Sequence, residues 1–173
     1  IGQGVVLMRV LAIDTSMSSP GVAILEVKKG KASVIAVSHV KTNSSRSHGL
    51  RAEIIESWLT LFLAKYTGAK GFDHITREDF SGRTSKQNHP VFSAWGSCDR
   101  ALSKFGLEVT SPAISSSAVK KAVTGSGKAE KNEVEEAVRK ITDYTGPFAT
   151  DDESDAVAIG LAFLLMKGVI KNE

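Results

Sequence analysis

Four acidic residues of this chain stand next to apolar sequence in three separate segments. Asp14 ends the run VLAID, Glu78 lies in DHITRED, and Asp152 and Asp155 lie in TDDESDAVAIG. Carboxylates gathered in one buried pocket repel each other, so such a site takes up protons or binds hard cations such as Mg²⁺. Two such ions support in-line displacement at phosphorus. The four acids therefore indicate metal-dependent phosphate chemistry.

Each acid also has a structural explanation. Asp14 begins the turn DTS, where an Asx turn would use its carboxylate, and Glu78 is flanked by an arginine and an aspartate, as in a salt-bridged surface loop. Thr150 and Glu153 have the spacing of a capping box, which would account for the acids of a first helical turn. Asp155 is the most telling residue, because it opens the apolar face AVAIGLAFLL.

Composition limits the function classes. The chain has 173 residues, of which 42% are hydrophobic and 24% charged, in the range of one globular domain. Its single cysteine, Cys98, excludes an internal disulfide and Cys-rich zinc sites, and we interpret it as a core residue. The net charge of +3 is compatible with a polyanionic partner. No apolar run reaches the ~18 residues of a membrane span, so we expect a cytoplasmic protein.

Two other kinds of site fail on spacing. The stretch AVTGSGKA lacks the P-loop pattern, because Ala122 stands where glycine is needed and Ala129 follows Lys128. The histidines show neither metal-ligand spacing nor a nucleophile triad, and we interpret them as surface or packing residues. They are His39, His48, His74 and His89.

The runs VLAID, GVAILEV and ASVIAVSHV predict three strands joined by short turns, hence an antiparallel meander. GFDHITRED and GLEVTS predict two more strands with a helix over 88–105 between them. This order predicts the α/β class, with a mixed five-stranded sheet, antiparallel and then parallel, and helices on both faces.

Further helices are predicted over 47–66, through SPAISSSAVKKAVTG, over 128–142 and over 151–167. The apolar face of the first is assigned by its spacing to Leu50, Ile54, Trp58, Leu61 and Phe62. The last helix must pack deep against the sheet, because it is almost entirely apolar after Asp155.

Two stretches resemble the RuvC family of Holliday junction resolvases. They are VLAIDTSMSSPGVAIL, and VKKAVTGSGKAEKNEVEEAVRKI followed by DDESDAVAIGLAF. The resemblance implies an RNase H-like fold and a homodimer, with two Mg²⁺ ions (or Mn²⁺) in each subunit. It also implies paired nicks across a four-way DNA junction, in a bacterial cell or a phage-infected host. Residues 8–173 would form the single nuclease domain, and residues 1–7 a vector-derived or disordered lead.

The resemblance also assigns residues. Asp14, Glu78, Asp152 and Asp155 match the catalytic, metal-binding carboxylates, with Asp151 as an alternative to Asp152. Lys120 and Lys131 match the family's two lysines near the DNA. On physical grounds Lys121 and Lys128 could reinforce them at phosphates. Helix charges exposed to solvent are the alternative explanation of these lysines.

The chain departs from the family after the central glutamate. Ser81 stands where the family has an aromatic residue that enters the junction, so Phe80 is the candidate replacement, with Arg83 and Lys86 following the DNA backbone. Arg77 interrupts the apolar strand before Glu78. Phage-encoded relatives diverge similarly, and some act on a wider range of branched DNA.

Two rival functions remain open at this point. One is a branched-DNA-binding protein without catalysis, in which the acids are structural. The other is an actin-like phosphotransferase, suggested only by IDTSMSSPG and disfavoured because that architecture needs two such domains.

Overall fold

The computed structural model describes residues 7–80, 82 and 84–172. Each helix and strand in these residues falls on a segment for which the sequence predicts the same type of element. In chain order they are β1 Met8–Asp14, β2 Gly21–Lys28, β3 Lys31–His39, α1 His48–Tyr66, β4 His74–Arg77, α2 Ser85–Ser103, α3 Ser116–Thr124, α4 Lys131–Thr142 and α5 Asp151–Met166.

The strands form one mixed sheet in the order β3, β2, β1, β4. β1 is antiparallel to β2 and parallel to β4, and β2 is antiparallel to β3. The register places Asp14 opposite Gly21 and Gly21 opposite His39. Because Ile13 pairs with Arg77 in the parallel ladder, the chain leaves β4 at this same end of the sheet. The predicted α/β class and antiparallel start are confirmed.

The described residues form four strands, so the expected fifth strand at GLEVTS is wrong. That segment runs beside β4 but joins it irregularly. Thr110 N donates to Ile75 O at 2.9 Å, and Ile114 N donates to Arg77 O at 3.0 Å. Between these bonds Pro112 has no N–H to donate, and the only β-bridge formed is the one from Ile114 to Glu78.

The two faces of the sheet carry separate hydrophobic cores. Alternate side chains of β1 point to opposite faces, as the period of a strand requires. Val10 and Ala12 pack under α3, α4 and α5, whereas Leu11 and Ile13 pack under α1 and α2. Cys98 is buried in the second core, which confirms its interpretation as a core residue, and burial raises the pKa of its thiol to about 12.

Helix α5 packs deeply, as predicted, and every residue over 156–164 is buried. Gly160 allows this approach, because a Cβ there would lie 2.6 Å from Leu25 Cδ1 and 3.2 Å from Ala12 Cβ. The helix that carries two of the predicted acids is therefore held directly against β1 and β2.

Two helix predictions need correction. The buried face of α1 includes Ile55, Leu59 and Leu63, whereas Leu50 and Leu61 are 43% and 72% exposed. Phe62 is buried as predicted, but the assignment of Leu50 and Leu61 failed because apolar residues occupy both sides of this helix. Helix α2 begins at Ser85, earlier than predicted, because Thr84 caps it through a bond from Gln87 N. In the described part of the chain no helix has the length and apolarity to cross a membrane.

Candidate active site

A cavity of about 170 Å³ lies at the Asp14 end of the sheet. We call it the acid pocket. It is lined by Asp14, Glu78, Ser116, Val119, Lys120, Lys131, Val134, Asp155, Ala158 and Ile159. Three of the four predicted acids and both lysines assigned by the resemblance thus line one space.

The sheet places two of these acids. Asp14 is the last residue of the buried strand β1, and Glu78 directly follows β4. Because β1 and β4 are parallel, both chains leave the sheet at the same end, and Glu78 N donates to Ile13 O at 3.4 Å. On its other side, Glu78 is held by a β-bridge to Ile114. From Ile114 the chain continues into α3, which carries Lys120.

Helix α5 supplies the other two acids. Asp155 lies one turn inside the helix and lines the acid pocket. Asp152 is adjacent but does not line the cavity, and its Oδ2 accepts a hydrogen bond from Ser19 Oγ at 2.5 Å. The first turn of α5 touches β2, since a Cβ on Gly21 would lie 2.1 Å from Asp152 O. Only glycine therefore allows this contact.

Burial and mutual repulsion perturb the acids. Burial raises the pKa of Asp14 well above its usual range, and Glu78, Asp155 and Asp152 add to that rise, while Lys131 opposes it. The pKa of Asp155 rises to about 6, again mainly through burial. Burial also raises the pKa of Glu78, against a hydrogen bond from Ser116. The pocket therefore favours protons or cations.

The lysines partly offset this repulsion. Lys131 opposes the rise of the Asp155 pKa more strongly than Lys120 does. Lys131 Nζ also hydrogen-bonds Asp151 Oδ2 at 3.2 Å, which raises the lysine pKa. Asp151 thus lies on the exposed outer side of α5, whereas Asp152 faces Ser19. The assignment of Asp152 as the ligand stays a prediction.

The described members of the other predicted DNA-binding residues do not line the acid pocket. Lys121, Lys128 and Lys86 are exposed, and Phe80 is 37% exposed. The remaining two positions of interest in this segment lie outside the described residues. They are Ser81 and Arg83.

The unexpected Arg77 has a structural role toward α2. Its guanidinium carbon lies 4.0 Å from the centre of the Trp95 ring, and Nη1 bonds Asp99 Oδ1 at 2.8 Å. These contacts hold the Arg77 side chain against α2, whereas Glu78 lines the acid pocket. Arg77 is therefore compatible with the assignment of its neighbour.

The sequence interpretation missed the pair His39 and Glu153. His39 Nδ1 lies 2.8 Å from Glu153 Oε1, and Glu153 Oε2 accepts from Ala149 N at 2.8 Å. The expected capping box is therefore wrong, because Thr150 makes no side-chain cap bond and Glu153 bonds elsewhere. The sequence held one sign of this role for Glu153. It is a further acid directly after Asp152, in a helical turn that packs on the sheet.

The pocket offers the chemistry of a divalent metal site. Its three acids present only oxygen donors, which suit Mg²⁺, and they lie close enough that Asp155 raises the pKa of both Asp14 and Glu78. Within residues 7–80, 82 and 84–172, no three acidic, histidine or cysteine side chains already surround one point as ligands. The carboxylate oxygens of Asp14, Glu78 and Asp155 are therefore suitable donors for Mg²⁺.

The fold and the acid pocket together define an RNase H-like nuclease domain. The chain belongs to the RuvC family, since the family model described as "Crossover junction endodeoxyribonuclease RuvC" matches residues 10–163. The resemblance drawn from the sequence is thereby confirmed.

Relatives cover nearly the whole chain. The RuvC protein of Parasynechococcus marenigrum is 30% identical over 89% of this chain and 96% of its own length. That of Rickettsia bellii is 28% identical over 92% and 99%. T. thermophilus RuvC, solved in complex with a Holliday junction substrate, superposes with a TM-score of 0.77 at 26% identity, covering 95% of this chain and 98% of that one. The fowlpox virus resolvase, 14% identical with a TM-score of 0.52, shares the fold.

Proposed function

We propose that this chain is a Mg²⁺-dependent endonuclease that resolves four-way DNA junctions by paired cuts, leaving 5′-phosphate and 3′-hydroxyl ends. The acid pocket carries the proposal, because Asp14, Glu78 and Asp155 line it beside Lys120 and Lys131. Membership of the RuvC family and similarity to a resolvase bound to a junction support the substrate. Related branched DNA is included in the substrate class.

The carboxylates would hold two divalent ions, and Mn²⁺ would substitute for Mg²⁺. Asp14, Glu78 and Asp155 supply oxygens from within the pocket, and Asp152 supplies a fourth carboxylate, whose Oδ2 already bonds Ser19. When bound, such ions activate water and stabilise the leaving oxygen of the phosphodiester. The raised pKa of Asp14 and that of Asp155 support this assignment, because a bound cation offsets the cost of burying these carboxylates and the repulsion from neighbouring acids.

The pocket lysines would bind the phosphates that flank the cut. Lys120 and Lys131 line the same cavity as the acids, so a strand crossing the cavity passes within their reach. Phosphate contacts of this kind set the position of the DNA without reading its sequence. Lys121, Lys128 and Lys86 would add charge along the arms, and Arg83 would do the same.

Paired cuts require two pockets, and the described residues of one chain contain a single acid pocket. We therefore assign the active form as a homodimer in which each subunit cuts one strand. Two-fold symmetry is the commonest arrangement of such assemblies, and it matches the symmetry of a four-way junction.

The decisive experiment uses a synthetic four-way junction. The parent should nick opposite strands in Mg²⁺, whereas Asp14→Asn should still bind the junction but cut it at least about 100-fold more slowly, as loss of a metal-binding carboxylate implies. Glu108→Gln is the control, because Glu108 is exposed and lies outside the acid pocket. Binding in Ca²⁺ without cleavage in Mg²⁺ or Mn²⁺ would instead support the non-catalytic function.

Substrate breadth is tested by comparing a four-way junction, a three-way fork, a flap and plain duplex. Phe80 is exposed enough to stack on an unpaired base. We expect Phe80→Ala to weaken cleavage of the branched substrates and to leave residual duplex binding unchanged. An equal loss of cleavage on all four substrates would show that Phe80 has no specific role in junction recognition.

A further inference from the structure

The segment that follows β3 lies at the Asp14 end of the sheet. We call residues 40–47 the β3–α1 loop. His39, just before it, is two strands away from Asp14 through Gly21. With adjacent strands ~4.8 Å apart, the loop begins roughly 10 Å from the β1 acid. It lies on the opposite side of Asp14 from Glu78, because the sheet order is β3, β2, β1, β4.

A buried arginine fixes this loop. Arg51 is 6% exposed, and its Nε donates to Thr42 Oγ1 at 2.9 Å while Nη2 donates to Ser18 Oγ at 3.0 Å. Thr42 also donates through Oγ1 to Met17 O at 2.6 Å and through its backbone N to Ser18 O at 2.9 Å. The loop is therefore attached to the β1–β2 turn, whose Ser19 bonds Asp152.

The tip of the loop is a closed polar turn. Asn43 Oδ1 accepts from both the backbone N and Oγ of Ser45, at 2.9 and 2.8 Å, and Asn43 O accepts from Arg46 N at 3.0 Å. These bonds leave the hydroxyl of Ser44 and the side chain of Arg46 at the surface, while Ser47 Oγ accepts from Leu50 N at 3.3 Å as the cap of α1. Hydroxyl, amide and basic groups of this kind are the usual partners of phosphate oxygens.

The loop also has an uncompensated charge. No aspartate or glutamate occurs over residues 27–52. Lys41 and Arg46 are exposed, and neither side chain has a hydrogen bond or ion pair to another described residue. By contrast, Lys131 on the other side of the acids is already bonded to Asp151. Lys41 and Arg46 thus present charge beside the pocket that no described side chain offsets by direct contact.

We propose that the β3–α1 loop is a second phosphate-binding surface, which holds the DNA arm on the β3 side of the cut. Lys41 and Arg46 each bind one phosphate of that arm. The acid pocket would then lie between two basic flanks, with Lys120 and Lys131 on the other flank. This assignment rests on the proposed function for its ligand, DNA. The contact is made to phosphates, so it does not depend on sequence or branching.

The test is the salt dependence of DNA binding in Ca²⁺, without cleavage. Each phosphate contact contributes about 0.9 to the slope of log affinity against log salt, so Lys41→Gln with Arg46→Gln should lower the slope by about 1.8 between about 50 and 200 mM salt. The loss should appear on junction and plain duplex alike. Both residues are exposed, so the double variant should keep the melting temperature of the parent.

The matched control is Lys28→Gln with Lys70→Gln, which removes the same charge. Lys28 ends β2, opposite Lys31, and Lys70 precedes Gly71, whose carbonyl accepts from Arg9 of β1, so both lie at the far end of the sheet. The control should retain the parental slope. A parental slope in the loop variant, or an equal loss in the control, would overturn the proposal. Failure of the parent to cut in Mg²⁺ would overturn the proposed function, whereas the slope would still decide the role of the loop.

Discussion

The carboxylate of Glu153 joins His39 across the Asp14 end of the sheet, with 2.8 Å between Oε1 and Nδ1. Its second oxygen accepts from Ala149 N at 2.8 Å, just before α5. Glu153 is 6% exposed and lies between Asp152 and Asp155 in the sequence. The bond therefore secures the turn from which both α5 acids project.

We expect Glu153→Ala to lower the free energy of unfolding by about 1–3 kcal/mol, because it removes the carboxylate that hydrogen-bonds two partly buried groups, His39 Nδ1 and Ala149 N. The variant should also need more Mg²⁺ for half-maximal cleavage, since the α5 acids lose their fixed position. Denaturant unfolding and a Mg²⁺ titration measure the two effects. Glu136→Ala, at an exposed site on α4, is the control and should change neither. A stability loss with an unchanged Mg²⁺ requirement would contradict the positioning role.

Gly21 also determines the position of α5, because it lets the first turn of the helix approach β2 closely. In Gly21→Ala the added Cβ would meet Asp152 O at 2.1 Å and Asp152 C at 2.7 Å, both backbone atoms. The helix must therefore shift, and we expect a lower melting temperature together with slower junction cleavage. Gly49→Ala is the matched control, because no atom lies within 4 Å of a Cβ at that position. Parental cleavage by Gly21→Ala would show that the site tolerates movement of α5.

Adjacent acids at the start of α5 should differ sharply in importance. Asp151 is 60% exposed and bonds Lys131, whereas Asp152 bonds Ser19 and adds to the rise of the Asp14 pKa. We expect Asp152→Asn to reduce single-turnover cleavage by at least about 100-fold and Asp151→Asn by less than about tenfold, since an exposed ion pair contributes little. A larger loss of cleavage in Asp151→Asn than in Asp152→Asn would make Asp151 the metal ligand in place of Asp152.

The acids also predict the pH dependence of stability without metal. Burial raises the pKa of Asp155 from 3.8 to about 6, against the opposing effect of Lys131. The folded chain therefore binds a proton that the unfolded chain has lost, so this stability is fully present below about pH 4 and lost as pH rises through about 6. Asp155→Asn, which resembles the protonated state, should become more stable than the parent in EDTA as pH rises through this window. Thermal unfolding at each pH measures this, and a constant difference would refute it.

Much of the site could be read from local sequence. Asp14 was recognisable because a carboxylate at the end of a buried strand requires a partner or a function, and Asp155 because it opens the apolar face of α5. The partners of Glu153 were not predictable, since His39 is 114 residues away and meets it only through the sheet register. GLEVTS failed as a strand for a related reason, because strand formation depends on the neighbour's hydrogen bonds as well as on β-branched residues.

The division of the sheet into two cores has a consequence for divergence within the family. Helices α1 and α2 cover one face, and neither contributes a residue that lines the acid pocket. Substitutions among the apolar core residues of that face should therefore act mainly on stability. These positions can diverge if residues of similar volume replace Leu59 and Ala94. Changes in α5 instead reach the acid pocket itself, because Asp155, Ala158 and Ile159 line it.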